Sequence, residues 1–462
     1  MVLFRAFVVF IIAGVVLISC KKERYITSKD ASLSTSSDTL FFDTVFTSVG
    51  SVTKSFKIFN NNSQKIRLSK VSLSGGATSF FKLNIDGATG PEASNIDIAA
   101  NDSIYVFVQV NVNPNGGTIP FVISDSVLIN YNGNNKYVQL QAYGQNANFI
   151  RSRVITGNVV FNNTLPYVIL GGMQVGANSS LTLSPGVKIY CHADAPIIID
   201  GTLTVNGTKS SPVIFKGDRL DADYKTLPAG WPGIFFRTNS KNNTMRFGQI
   251  LNAYQGVVVQ DPSVNSLPKL VMSQSIIDNS YSSGILADNS NLQVDNSLIS
   301  NCGNDIIIQG GGKYKFTNCT VPAYSNIFIT HKTPVLQVTD VSANVANDLN
   351  AAFVNCIFWG DDGIVKDEVV VLKQSSRIFS VTFDHVLMRV SSDPSNSVLN
   401  SIIKNQDPMF DSINTSKRLF DFHLTKNSTS PAVNSGTGTP FPKDLDDRPR
   451  NNGITDLGCY EK

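Results

Sequence analysis

Two periodicities divide the chain. Over residues 38–143, apolar side chains recur at every second position. Ile104, Val106, Val108, Val110 and Val112 alternate with Tyr105, Phe107, Gln109 and Asn111, and Pro114 ends the run. Phe56 and Ile58 alternate before the turn Asn60-Asn61-Asn62-Ser63, and Ile66 and Leu68 follow it. Val127 and Ile129 lead into Asn132-Gly133, a strong hairpin signal, and Val138, Leu140 and Ala142 return. About seven short strands in this stretch predict a β-sandwich over residues 38–150.

From residue 151 the informative spacing becomes 22. Met272, Val294 and Phe316 keep it, as do Ser275, Ser297 and Cys319, and Ile277, Ile299 and Val321. Leu181 and Leu203, and Leu183 and Val205, repeat it earlier. Ile285, Ile307 and Ile329 share the interval and are predicted to stack in the interior. About 22 residues suffice for one coil of three short strands and three turns, whose inward side chains are buried only by the coils above and below. Asn301-Cys302, Asn318-Cys319 and Asn355-Cys356 fit turns of such a stack. Cys319 and Cys356 are 37 apart, one coil plus a 15-residue insertion, and are expected to be reduced, buried small side chains. The repeat predicts a parallel β-helix over residues 151–430.

Several segments resemble known families. The stretches Leu181-Thr182-Leu183-Ser184-Pro185-Gly186-Val187, Ile199-Asp200-Gly201-Thr202-Leu203 and Trp231-Pro232-Gly233-Ile234 resemble the pectin-lyase-like superfamily. That resemblance implies a right-handed parallel β-helix. Val49-Gly50, Phe56-Lys57-Ile58-Phe59-Asn60, Asn101-Asp102-Ser103 and Gly144 resemble hydin-type immunoglobulin-like domains, which implies a spacer or docking module. Asp407-Pro408-Met409-Phe410, Ser430-Pro431-Ala432, Asp446-Asp447-Arg448 and Asp456-Leu457-Gly458-Cys459 resemble the closing segment of secreted bacterial β-helix proteins. Residues 431–462 are therefore expected to cap the open end of the coil, where unpaired strand edges invite aggregation. The fold class expected is all-β: an immunoglobulin-like sandwich, a right-handed parallel β-helix and a C-terminal capping segment.

The amino terminus carries an address. One cation, Arg5, precedes an apolar run over residues 6–18, too short for a comfortable span but suited to a signal-peptide core. Leu17-Ile18-Ser19-Cys20 then resembles the lipobox read by the lipoprotein signal peptidase, which implies removal of residues 1–19 and lipidation of Cys20. Lys21-Lys22-Glu23-Arg24 looks like the charged tag that sends some lipoproteins to the outer cell face. An outer-membrane lipoprotein on the surface or periplasmic side is expected, with residues 20–37 as a flexible tether rich in Ser, Thr and Lys.

Composition narrows the chemistry. The formal net charge of +3 is small for 462 residues, and no basic stripe interleaved with aromatics occurs, so nucleic-acid binding has no footprint. With Cys20 lipidated, five cysteines remain and none forms a Cys-x-x-Cys pair, which argues against a disulfide framework or a zinc site.

The search for a catalytic constellation is negative. Asp361-Asp362 is the one adjacent acid pair in a probable coil turn, and the segments that accompany the acids of β-helix hydrolases are absent, so it reads as a solvated turn before Gly363. Lys313 after Gly310-Gly311-Gly312 lacks the flanking residues of a phosphate loop and reads as a turn. His192, His331, His385 and His423 share no metal spacing. The candidate contact region is the loop containing Asp218, Arg219, Asp221, Asp223 and Tyr224 and ending in Trp231, which interrupts the coil period and concentrates charge. It offers an aromatic face for a sugar and carboxylates for hydroxyl groups or calcium, although no calcium motif supports that cofactor. In the structural alternative Asp218 and Arg219 pair and Trp231 caps the core. Three functions stay open: a non-catalytic binder of polysaccharide or a surface protein, a lyase or hydrolase of acidic glycans, and a spacer or adhesin.

Overall fold

The computed structural model describes residues 24–222, 224–343, 345–425, 429–450 and 454–462. Cys20 and the signal segment lie outside them. The chain divides into two compact units, one ending at Asn146 and the other beginning at Ala147. Among the described residues no helix is long and apolar enough to cross a membrane.

The first unit is a β-sandwich of two five-stranded sheets. One contains Leu33–Thr35, Lys54–Asn60, Ser103–Val110, Phe81–Ile85 and Ala88–Gly90 in that spatial order. The other contains Thr39–Phe46, Asn134–Gln145, Phe121–Tyr131, Ile66–Leu73 and Glu92–Ile98. Period-two alternation explains the layers: Ile104, Val106, Val108 and Val110 are buried against Phe42, Phe56 and Ile58, while Tyr105 and Phe107 face out. Asn132 and Gly133 both have positive φ, as a tight hairpin turn requires, and join Phe121–Tyr131 to Asn134–Gln145. From Tyr25 onward, the segment expected to be a flexible tether is part of the sandwich. Leu33–Thr35 pairs antiparallel with Lys54–Asn60, Ala31 and Leu33 are buried, and the Tyr25 hydroxyl donates to Asp97. Two inward apolar positions among polar ones are enough to make an edge strand.

The body of the second unit is a parallel sheet of 24 strands wound into a β-helix. Strands in successive coils stack in register: Leu181 on Leu203, and Met272 on Val294, Phe316, Phe353 and Phe383. One apolar interior runs from Ile150 to Val390. Cys319 and Cys356 are buried free thiols, and Thr320 pairs with Ile357 beside them. The insertion between them is split between residues 324–335 and the small hairpin of Val341–Ser342 with Val345–Ala346.

The turns explain the asparagines. Gln274, Asn296, Asn318 and Asn355 have φ of 48, 46, 53 and 54°, left-handed values that asparagine tolerates better than most residues. Each is followed by a small buried side chain: Ser275, Ser297, Cys319 and Cys356. Asn301 belongs to a second ladder with Asn252 and Asn279, in which Asn279 Nδ2 donates to Asn252 Oδ1 at 2.8 Å. The three Asn-Cys units therefore occupy two different turns.

One predicted ladder is out of register. Ile285 pairs with Ile306 and Leu286 with Ile307, so Ile306 and Ile308 point inward and Ile307 is half-buried on the outer side. Ile329 is not in the stack; Val338 sits on Ile308. The coil is one residue short before Ile306, and a bulge opposite the Asp288–Ser290 step restores the spacing. Gly310, Gly311 and Gly312, with φ of 73, 97 and 109°, form that bulge inside the strand Ile306–Thr317 rather than the expected turn.

The C-terminal segment was expected at the open end of the coil, and its contacts instead run along one flank. Gln274 Nε2 donates to Asp444 O, Asn296 Nδ2 to Lys443 O, and Asn355 exchanges two hydrogen bonds with Thr437. Outward-facing Leu298, Ile357, Trp359 and Leu387 are covered by Phe422, Leu424, Ala432, Leu445, Leu457, Cys459 and Tyr460. The physical cause is the apolar outer face of these strands, which solvent would otherwise meet.

Candidate functional site

The loop after Val213–Gly217 does not assemble the expected platform. Trp231 is 0% exposed, donates its Nε1 to Leu251 O at 3.0 Å and lies within the main core. It has no free face for a ligand, which corrects its expected role. The charges of the loop are used internally. Arg219 binds both carboxylate oxygens of Asp221 at 2.8 and 3.0 Å and lies 3.7 Å from the centroid of the Tyr224 ring. Asp218 pairs with His192 rather than Arg219, at 2.8 Å, and burial holds its carboxyl above the usual range. Asp223 lies outside the described residues. Among the described residues of this set, Tyr224 and the Arg219 side chain present exposed surface, and the two are stacked on each other.

A different group converges. Four strands stack on the flank: Thr320–Ala323, Ile357–Gly360, Phe379–Met388 and Val398–Lys404. The residues just beyond their ends are Tyr324, Asp361, Arg389 and Asn405, and parallel stacking sets them one above another. With Trp359, Asp362, Lys366 and Asp407 they line a cleft of about 580 Å³.

The wall of this cleft is charged. Asp361 takes a backbone bond from Ser325 N at 2.7 Å on Oδ2, whereas its Oδ1 is buried without a partner. Arg389 donates to Val365 O at 2.6 Å and pairs with Asp362 at 3.4 Å and Glu368 at 3.5 Å. Behind it, His331 Nε2 lies 3.0 Å from Glu368 Oε1 in a fully buried pair. Gly360 leaves room for this pair, because a Cβ there would meet both the Glu368 and His331 side chains and displace them. Burial pushes the Tyr324 hydroxyl above its ordinary range, and the nearby Asp407 and Asp361 carboxylates push it further. The Tyr324 ring is wedged against Phe420 and Phe422. Such a site can accept hydrogen bonds from hydroxyl groups on Asp361 and Asp407 and donate them from Lys366 and Arg389.

Sequence reasoning took Asp361-Asp362 for a solvated turn and did not single out Tyr324, Lys366 or Arg389. The available signal was positional: Tyr324, Asp361 and Arg389 each follow the end of a flank strand, but the irregular coil lengths between them hid that equivalence, and Lys366 lies in the loop after Asp361. Among the described residues no group of three or more His, Cys, Asp or Glu side chains is arranged to hold a metal ion.

No family model and no curated protein matches the chain. Among solved structures, similarity is found to a family 123 glycoside hydrolase from Clostridium perfringens, studied for glycolipid glycan hydrolysis. It has 10% identity and a TM-score of 0.20, covering 28% of this chain and 30% of that one. The ASH/PapD-like domain of human CEP192 gives 11% identity and a TM-score of 0.17, over 28% of this chain and 92% of that one. The Dettilon tailspike protein gives 13% identity and a TM-score of 0.19, over 57% of this chain and 62% of that one. The chain thus spans less than a third of the hydrolase and less than two thirds of the tailspike. Likeness at this level carries no functional argument.

Proposed function

We propose that this protein is an exported outer-membrane lipoprotein, anchored through Cys20, whose β-helix holds a glycan in the flank cleft without transforming it. The N-terminal sandwich serves as an immunoglobulin-like spacer between lipid and β-helix. The observation that supports the binding reading is the buried, unpartnered Oδ1 of Asp361 in a cleft that also carries Lys366, Arg389 and Asp407. An orphaned buried acceptor costs about 1–3 kcal/mol, so turning the Asp361 carboxylate toward the cleft, where a sugar hydroxyl supplies the missing donor, is favoured. On a glycan array, wild-type protein is expected to select a saccharide set, and Asp361→Asn to weaken that binding about tenfold with an unchanged melting temperature. Equal binding by Asp361→Asn, or an array with no bound glycan, contradicts the proposal.

The convergence of Asp361, Asp362 and Asp407 on one cleft also favours a second reading, hydrolysis. A glycosidase needs one carboxylic acid to protonate the leaving oxygen and one carboxylate to activate water or attack. Release of new reducing ends from the selected glycan by wild type, lost in Asp361→Asn, would establish that reading over simple binding.

The anchor is tested separately. Cys20→Ala is expected to move the protein from the membrane fraction to the soluble fraction, because a single thiol carries the acyl chains. A variant still partitioning into detergent would refute lipidation at Cys20.

A further inference from the structure

The sandwich has an outer sheet face that its fold does not need. In Ser103–Val110 the outward positions of a half-solvated strand should be polar. Two are instead Tyr105 and Phe107, 44% and 40% exposed, with ring centroids 5.6 Å apart and planes only 14° from parallel. Lys57, opposite Tyr105 on the neighbouring strand, lies 4.6 Å from the centroid of its ring. On the other side Asn84 is opposite Phe107 and Lys82 opposite Gln109.

Phe107 also forms one wall of a groove of about 630 Å³, shared with Thr53, Lys82, Asn84, Thr89 and Gln109. Gln109 Nε2 donates to Thr53 Oγ1 at 2.7 Å, which fixes the amide at the groove edge. The five strands of this sheet contain three lysines, Lys54, Lys57 and Lys82, and no Asp or Glu.

We infer that this face is a second binding site, for an anionic polysaccharide. The two rings offer apolar surface to successive sugar rings, Lys57 and Lys82 meet carboxylate or sulfate groups, and Ser55, Thr53, Asn84 and Gln109 serve the hydroxyls. Charge complementarity selects an anion, because nothing acidic on these strands opposes one. The surroundings of the aromatics select a glycan over a protein: protein interfaces concentrate aromatics, Met and Arg and are depleted in Lys and Ser. Here Lys and Ser border the rings directly. The site shares no residue with the flank cleft and does not rest on the function proposed for it.

The test uses full-length protein in affinity electrophoresis through gels containing polygalacturonate, heparin or neutral dextran. Retardation by at least one of the two polyanions, none by dextran, and loss of retardation with added salt are expected. Tyr105→Ala/Phe107→Ala and Lys57→Glu/Lys82→Glu should each weaken retardation about tenfold without lowering the melting temperature. Tyr105→Phe should retain it, and Asp361→Asn should leave it unchanged. No retardation by either polyanion, retardation by dextran alone, or retardation indifferent to both double variants overturns the inference. A face built for a protein partner gives the first of these outcomes.

Discussion

Ile308→Asp is expected to abolish the cooperative melt of the β-helix, while Ile307→Asp shifts it little. Ile308 is fully buried between Ala287 of the preceding coil and Val338 of the next. A carboxylate there loses its hydration without gaining a partner. The cost, about 4 kcal/mol or more, is a large fraction of a domain's stability. Ile307 points to the outer side, where an Asp keeps part of its water. The 22-residue spacing alone predicts the reverse order, because it puts Ile307 between Ile285 and Ile329. Thermal melts of the two variants decide the register: a mild effect at Ile308 with a severe one at Ile307 would contradict the stacking described above.

The second large effect concerns the C-terminal segment. Arg450 is buried, donates to Glu461 Oε2 at 2.9 Å, and reaches Asn296 Oδ1 at 2.8 Å and Gly458 O at 2.9 Å. It therefore ties the tail both to itself and to the turn ladder of the β-helix. Arg450→Met removes the guanidinium that pairs with the buried Glu461 carboxylate, a loss of about 3–5 kcal/mol. Hydrogen exchange should accelerate over residues 431–462 and in the flank strands they cover, including Ile357–Gly360, and less in strands remote from that flank. Arg450→Met with Glu461→Gln should recover part of the protection, since the buried charge is gone. Protection in the tail unchanged by Arg450→Met would mean that apolar contacts alone hold it.

How much of this was legible in the sequence depends on how regular the chain is locally. The Met272, Val294 and Phe316 ladder was readable because the missing residue before Ile306 and the extra one in the glycine bulge cancel between Val294 and Phe316, which restores the interval of 22. The Ile307 assignment failed because one coil is a residue short and the Gly310–Gly312 bulge compensates within the same strand, so spacing on either side looks unbroken. The cleft was invisible for a related reason. Tyr324, Asp361, Arg389 and Asn405 are 37, 28 and 16 residues apart, and no fixed period connects them. Only strand pairing shows that they occupy equivalent positions. Trp231 misled in the opposite direction: a large aromatic ending a charged loop looks like a contact residue, but its indole donates to Leu251 O and its backbone pairs with Ala253 of the next coil. The flank course of residues 431–462 follows from Leu298, Ile357, Trp359 and Leu387, outward residues that a period-based reading cannot distinguish from inward ones without the register.

The claim that the flank cleft is a built glycan site is tested most directly by calorimetric titration of the array-selected oligosaccharide into wild type, Asp361→Asn and Tyr105→Ala/Phe107→Ala. Saturable binding to wild type, about tenfold weaker in Asp361→Asn and unaltered in the sandwich double variant, is the predicted result. Binding of equal affinity in wild type and Asp361→Asn would contradict it.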